Sequence, residues 1–134
     1  MSIHVYTGVP GSGKSLHAAS DARYELTRKY PRPVIANFPL SDDAPLSDFQ
    51  RENYHYLPNE DMSAKAITSL ADEYWKASDR PFREDYITLV LDEAQLLFNS
   101  RRWSQSSRNG LSDAFQYSSA RLVMAFALMS SLGR

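Results

Sequence analysis

The sequence predicts an α/β protein with a mostly parallel sheet flanked by helices, and three observations carry that prediction. Short β-branched and aromatic runs alternate with stretches whose apolar residues recur at helical spacing. The first run, Ile3 to Thr7, leads straight into the glycine-rich segment Gly8-Val9-Pro10-Gly11-Ser12-Gly13-Lys14-Ser15, which opens a helix. The run Tyr86-Ile87-Thr88-Leu89-Val90-Leu91 is almost continuously apolar, as a parallel strand buried on both faces should be. Strands alternating with helices pair in parallel through crossover connections.

The glycine-rich segment fits the pattern G-x-x-x-x-G-K-[ST] at every specified position. Glycines let the backbone fold around a polyphosphate with φ values that a Cβ penalises. Successive N–H groups then converge on the anion at a helix start, where the macrodipole also favours negative charge. Lys14 is expected to bridge the β- and γ-phosphates, and the Ser15 hydroxyl to ligate Mg²⁺. Gly8 to Ser15, with Leu16 in the first turn, are the predicted nucleotide-binding residues. A P-loop NTPase fold that binds ATP with Mg²⁺ is the expectation.

The following elements keep the alternation. Ser15 to Tyr30 reads as a helix with Leu16, Ala18, Ala19, Ala22 and Leu26 on its apolar side, stopped by Pro31. Pro33 to Phe38 reads as a second strand ended by Pro39. Leu40 to Asn53 reads as a long polar loop. Tyr54 to Leu57 is a short aromatic strand, with Tyr54 and Tyr56 filling a sheet face. Asn59 or Ser63 caps a helix running to about Ala77, with Met62, Ile67, Leu70 and Tyr74 on one face and Trp75 in the core.

Composition narrows the function classes. At 134 residues the chain is expected to form one domain, 1–134, and 15 basic against 16 acidic residues create no global field for nucleic acid or membrane. There is no cysteine, which excludes disulfides and thiol chemistry. Ile3 to Thr7 is too short for a signal peptide, and Leu122 to Met129 falls short of the roughly 20 residues that span a bilayer. A cytoplasmic location is the expectation. His4, His17 and His55 have no paired ligand spacing, so no zinc site is expected.

The buried strand closes in Asp92-Glu93-Ala94-Gln95. In open α/β sheets the ligand sits outside the carboxyl ends of the strands, where Asp92 emerges facing the phosphate loop. Asp92 is expected to hold the metal opposite Ser15, and Glu93 to polarise a water for in-line attack on the γ-phosphate. The plainer reading, that both acids cap the next helix, stays open. So do the two readings of Gln95, as a γ-phosphate sensor or as a solvated residue at a helix start.

The segments YTGVPGSGKSLHA (6–18), VIANFPL (34–40) and LVLDEAQLLFNSRRW (89–103) together resemble the Zot (zonular occludens toxin-like) family, related to the filamentous-phage assembly ATPases. The resemblance covers about residues 1–108, and its most distinctive parts are N-x-P-L after the second strand and D-E-A-Q before a basic loop. It implies a P-loop ATPase core with a catalytic glutamate, here Glu93, acting with Lys14, and with Asp92 behind the magnesium. Such a core powers extrusion of virions or DNA, works as a homo-oligomeric ring beside phage assembly proteins, and belongs to proteins anchored in the inner membrane with this domain on the cytoplasmic side.

After about Asn109 the chain departs from the family pattern of a helix and then one more core strand. Leu111, Phe115, Leu122, Phe126 and Met129 recur at helical spacing in an alanine- and methionine-rich stretch, so a helix is predicted and a strand over 122–129 is the alternative. On either reading the core is expected to be truncated on its C-terminal side, as in a fragment or a frame-shifted product. Arg101, Arg102, Trp103 and Arg108 lie in a basic loop, read as a solvated loop, as the source of an arginine finger from Arg101 and Arg102, or as a DNA or phosphate contact. Two rival functions remain: a small-molecule kinase, and a nucleotide-binding docking module that hydrolyses little.

Overall fold

The computed structural model describes residues 2–8, 13–77, 87–98 and 120–127. The order of elements is β1 (Ser2–Gly8), α1 (Lys14–Thr27), β2 (Val34–Ala36), α2 (Asp48–Glu52), β3 (Tyr54–Tyr56), a 3₁₀ turn (Asn59–Asp61), α3 (Ala64–Ala77), β4 (Ile87–Leu91), α4 (Ala94–Phe98) and β5 (Ala120–Ala127). The strands form one sheet in the order β1-β5-β4-β2-β3, and every pairing is parallel. This is a P-loop-like α/β fold, as the alternating pattern predicts. Among the described residues no helix is long and apolar enough to cross a membrane.

Alternation along β2 and β4 splits the core into two layers. Val34, Ala36 and Val90 pack with Val123, Ala125 and the α1 residues Ala18, Ala22 and Leu26. Ile35, Ile87, Leu89 and Leu91 pack with Met62, with Ile67 and Ala71 of α3, and with Ala94 and Leu97 of α4. All five residues of β4 are buried, which accounts for its almost continuous apolar run.

The C-terminal segment corrects the expected helix. Residues 120–127 form β5, which lies between β1 and β4 and pairs with both. Helix propensity separates these residue types by only a few tenths of a kcal/mol each. A strand hydrogen-bonded on both sides, with Val123 and Ala125 buried, outweighs that preference. Residues 111–119 and Met129 lie outside the described residues.

Four smaller differences are local. The loop read over 40–53 contains α2, started by a capping box in which Gln50 N–H donates to Ser47 Oγ (3.2 Å) and Ser47 N–H to Gln50 Oε1 (2.8 Å). Ser63, not Asn59, caps α3, accepting from Ala66 N–H at 3.1 Å. Leu16 is 71% exposed rather than on the buried side of α1, whose inward stripe instead takes in Lys14 and Glu25. Tyr54 packs against the α1 layer, whereas Tyr56 is exposed.

Candidate nucleotide site

Parallel pairing brings the carboxyl ends of β1, β4 and β2 to one edge of the sheet. Gly8 ends β1 beside Ala127, and Leu91 ends β4 beside Met124. Val9, Pro10, Gly11 and Ser12 lie outside the described residues. Gly13 follows with φ 88° and ψ 7°, a left-handed conformation that side-chain-bearing residues rarely adopt. A Cβ there would meet nothing within 4 Å, so backbone conformation and not space demands the glycine.

Lys14 is the first residue of α1 and only 6% exposed. The first turn of α1 holds no acid, and no side chain among the described residues caps it. A buried cation thus sits at the positive end of a helix macrodipole, an unfavourable placement unless an anion joins it. The anion at hand is Glu93, whose Oε1 lies 3.6 Å from Lys14 Nζ. Next along α1, the Ser15 hydroxyl donates to Asp92 Oδ1 at 2.9 Å.

The acidic pair has its own geometry. Asp92 Oδ1 also accepts Glu93 N–H at 3.0 Å, and Glu93 O accepts Leu96 N–H at 2.9 Å at the start of α4. Glu93 has φ 50°, the only positive φ among the described non-glycine residues. Such a conformation costs on the order of 1 kcal/mol or more and persists only where neighbouring structure imposes it. The Glu93 side chain is 40% exposed and open to solvent. Gln95 Nε2 donates to Glu93 Oε2.

Lys14, Ser15, Asp92, Glu93 and Gln95, singled out in the sequence, are therefore brought together. Helix capping does not exhaust the acids, because each also reaches across to α1. Gln95 spends its amide on Glu93, which neither of its two sequence readings anticipated. Arg101, Arg102, Trp103 and Arg108 lie outside the described residues. His17 stacks on Tyr6, with ring centroids 5.1 Å apart and planes at 14°, while the Tyr6 hydroxyl donates to Asp21 Oδ2 at 2.8 Å.

Sequence reasoning missed two asparagines. Asn37 exchanges hydrogen bonds with the Asp92 backbone, and its side chain also reaches Asn59. The available signal was a carboxamide directly after a buried strand, at the same sheet edge as the acids. A separate cavity of about 320 Å³ lies against Ala22 and Leu26 of α1, enclosed by Phe38, Leu46 and Tyr54. Its lining includes neither Lys14 nor Ser15. Burial, and to a lesser degree Tyr56, pushes the Tyr54 phenol well above its ordinary value there, and its hydroxyl donates to the Phe38 carbonyl.

Magnesium suits the donors present. Ser15 and Asp92 offer hard oxygen atoms, and no cluster of three or more His, Cys, Asp or Glu occurs among the described residues. A cation held by one or two protein oxygens and otherwise by phosphate and water matches magnesium better than a metal that needs a full protein cage.

Fold and site together define a class: parallel α/β proteins of P-loop-like architecture in which the start of the first helix, at Lys14 and Ser15, meets an acidic pair. The family model described as Zonular occludens toxin (Zot) matches residues 2–121, and the chain belongs to the Zot family. The match spans every described residue of the site. No curated protein matches the chain.

Proposed function

We propose that this Zot-family chain is the nucleotide-hydrolysing part of a phage assembly or export protein, binding Mg²⁺-ATP at residues 8–16 and turning it over with Glu93. The observation that carries the reading is Lys14. It is buried at an uncapped, acid-free helix start and lies 3.6 Å from the one acid suited to act as base. A triphosphate entering there supplies a competing anion and draws Lys14 from Glu93. The freed Glu93 carboxylate takes a proton from water as the water oxygen attacks the γ-phosphorus. The bond from that phosphorus to the β–γ bridging oxygen then breaks, and ADP leaves with the electron pair. Bound magnesium, held from Ser15 and Asp92, supplies charge neutralisation at the phosphates.

Coupling to virion or DNA extrusion, assembly into a ring, an arginine finger from Arg101 or Arg102, and attachment to an inner membrane belong to the same proposal and rest on the family. A second reading has one observation in its favour. Glu93 is engaged by both Lys14 and Gln95, as in a docking module that binds nucleotide and hydrolyses little.

Thermal shift against a nucleotide panel, with and without magnesium, tests the site directly. ATP should stabilise the chain, and more so with magnesium; no response to any triphosphate overturns the reading. Glu93→Gln should still bind and lose about 10²–10⁴-fold in turnover. A variant as active as wild type removes Glu93 as the base, and a wild type inert in single turnover favours the docking module.

A further inference from the structure

Asn37 is the first residue after β2 and stands where the β2–β4 ladder runs out. Its main-chain N–H reaches Val90 O at a long 3.4 Å. From there its side chain continues the pairing. Asp92 N–H donates to Asn37 Oδ1 at 2.8 Å, and Asn37 Nδ2 donates to Asp92 O at 2.8 Å. One carboxamide thus satisfies both main-chain groups of a single residue, as a neighbouring strand would. The second hydrogen on Nδ2 goes to Asn59 Oδ1 at 3.0 Å, at the start of the 3₁₀ turn beyond β3. A line of hydrogen bonds therefore crosses the carboxyl ends of β4, β2 and β3.

What this line holds is the unusual piece of backbone at the site. Asp92 bears the carboxylate that meets Ser15, and Glu93 follows in its left-handed conformation. Downstream, the Leu96 N–H pins Glu93 O; upstream, the Asn37 pair pins Asp92. A shift of this peptide moves both acids at once. We infer that Asn37 is a positioning residue for nucleotide hydrolysis: it sets the Asp92–Glu93 peptide through both of its main-chain groups and is itself oriented by Asn59. The inference rests on the hydrolysis reading above.

The donors and acceptors make the roles of the two asparagines unequal. An aspartate at 37 has nearly the same shape and can still accept Asp92 N–H, but it has no hydrogens for Asp92 O or Asn59 and adds charge beside two acids. An aspartate at 59 keeps the only atom Asn37 uses, an acceptor. Asn37→Asp should therefore be damaging and Asn59→Asp tolerated, whereas Asn59→Ala should be damaging.

Amide hydrogen exchange, nucleotide affinity and turnover are measured on wild type, Asn37→Ala, Asn37→Asp, Asn59→Ala and Asn59→Asp. In Asn37→Ala the Asp92 amide should exchange roughly tenfold faster while Leu89 and Val90 keep their protection. For Asn37→Asp, kcat should fall roughly 10²-fold, the loss typical of a misplaced reacting group. Affinity for a non-hydrolysable ATP analogue should change by less than about threefold. Unchanged Asp92 exchange in Asn37→Ala, or equal turnover in the two aspartate variants of an active wild type, overturns the role. Should Asn37→Ala fail to fold, the Asn59 pair decides: no loss in Asn59→Ala, or no recovery in Asn59→Asp, overturns it equally. An inert wild type whose Asp92 exchange still responds sinks the hydrolysis reading, and the catalytic role of Asn37 with it.

Discussion

Helices α1 and α3 have the same length, 14 residues, and pack on opposite core layers, yet they are built on different principles. α3 is an ordinary packing helix. Ile67 and Ala71 are buried, Lys65, Asp72, Glu73 and Lys76 are exposed, Ser63 caps the start, and Lys76 sits in the last turn where the macrodipole favours a cation. α1 inverts that arrangement. Its buried cation, Lys14, is at the start, and its fully buried anion, Glu25, is near the end. Glu25 finds its counter-charges locally, in Arg28 at 3.4 Å and Arg32 at 3.5 Å. Lys14 finds its partner only across the site, in Glu93. The difference teaches that burial in α3 serves cohesion, while at the start of α1 burial holds a cation against an acid from another element, the feature on which the proposed function rests.

Four substitutions break or sharpen this contrast. Ile67→Ala in α3 should cost about 2–5 kcal/mol in urea unfolding, with the nucleotide-induced stabilisation of the remaining folded protein unchanged. Loss of the nucleotide response would mean that the two layers are not separable. Lys14→Ala should leave the ligand-free melting temperature undiminished, yet remove the gain of about 2.7 kcal/mol that nucleotide at a hundred times Kd provides. A persisting gain would show that α1 is not arranged for phosphate. Glu25→Gln should destabilise by roughly 1.5–3 kcal/mol, because two arginines lose a charged acceptor. An effect within experimental scatter would make the inverted charge at the far end of α1 incidental. The smallest effect concerns the strand beneath α1. Thr88 Oγ1 is buried without a hydrogen-bond partner among the described residues, so Thr88→Val should stabilise by about 1 kcal/mol. Destabilisation would reveal a partner for that hydroxyl.

Legibility in the sequence followed the same divide. Where one local cause dominates, the reading succeeds: β4 announces itself by an almost continuous apolar run, and the phosphate-loop pattern locates Lys14 and Ser15 at a helix start. Where pairing decides, it fails. Residues 120–127 carry alanines and methionine that suit a helix, and only the strands on either side make them β5. α2 was written in the Ser47-x-x-Gln50 capping box, a signal passed over because the surrounding residues are polar. Asn37 was visible as part of a motif, but its role depends on Asp92, 55 residues away, and on the bend that ends β2. Leu16 was assigned to the apolar side of α1 by residue type, whereas the true inward stripe contains two charged residues that no hydrophobic pattern can find.

The sheet order has a temporal consequence. The strand that leads into the phosphate loop touches its sheet, among the described residues, only through β5. Residues 2–8 are synthesised well before residues 120–127, the strand that pairs with them among the described residues. At about 5–20 residues per second, that interval lasts several seconds of synthesis. On the proposed reading, nucleotide binding is therefore a late event in the life of the nascent chain, one that follows insertion of β5 between β1 and β4.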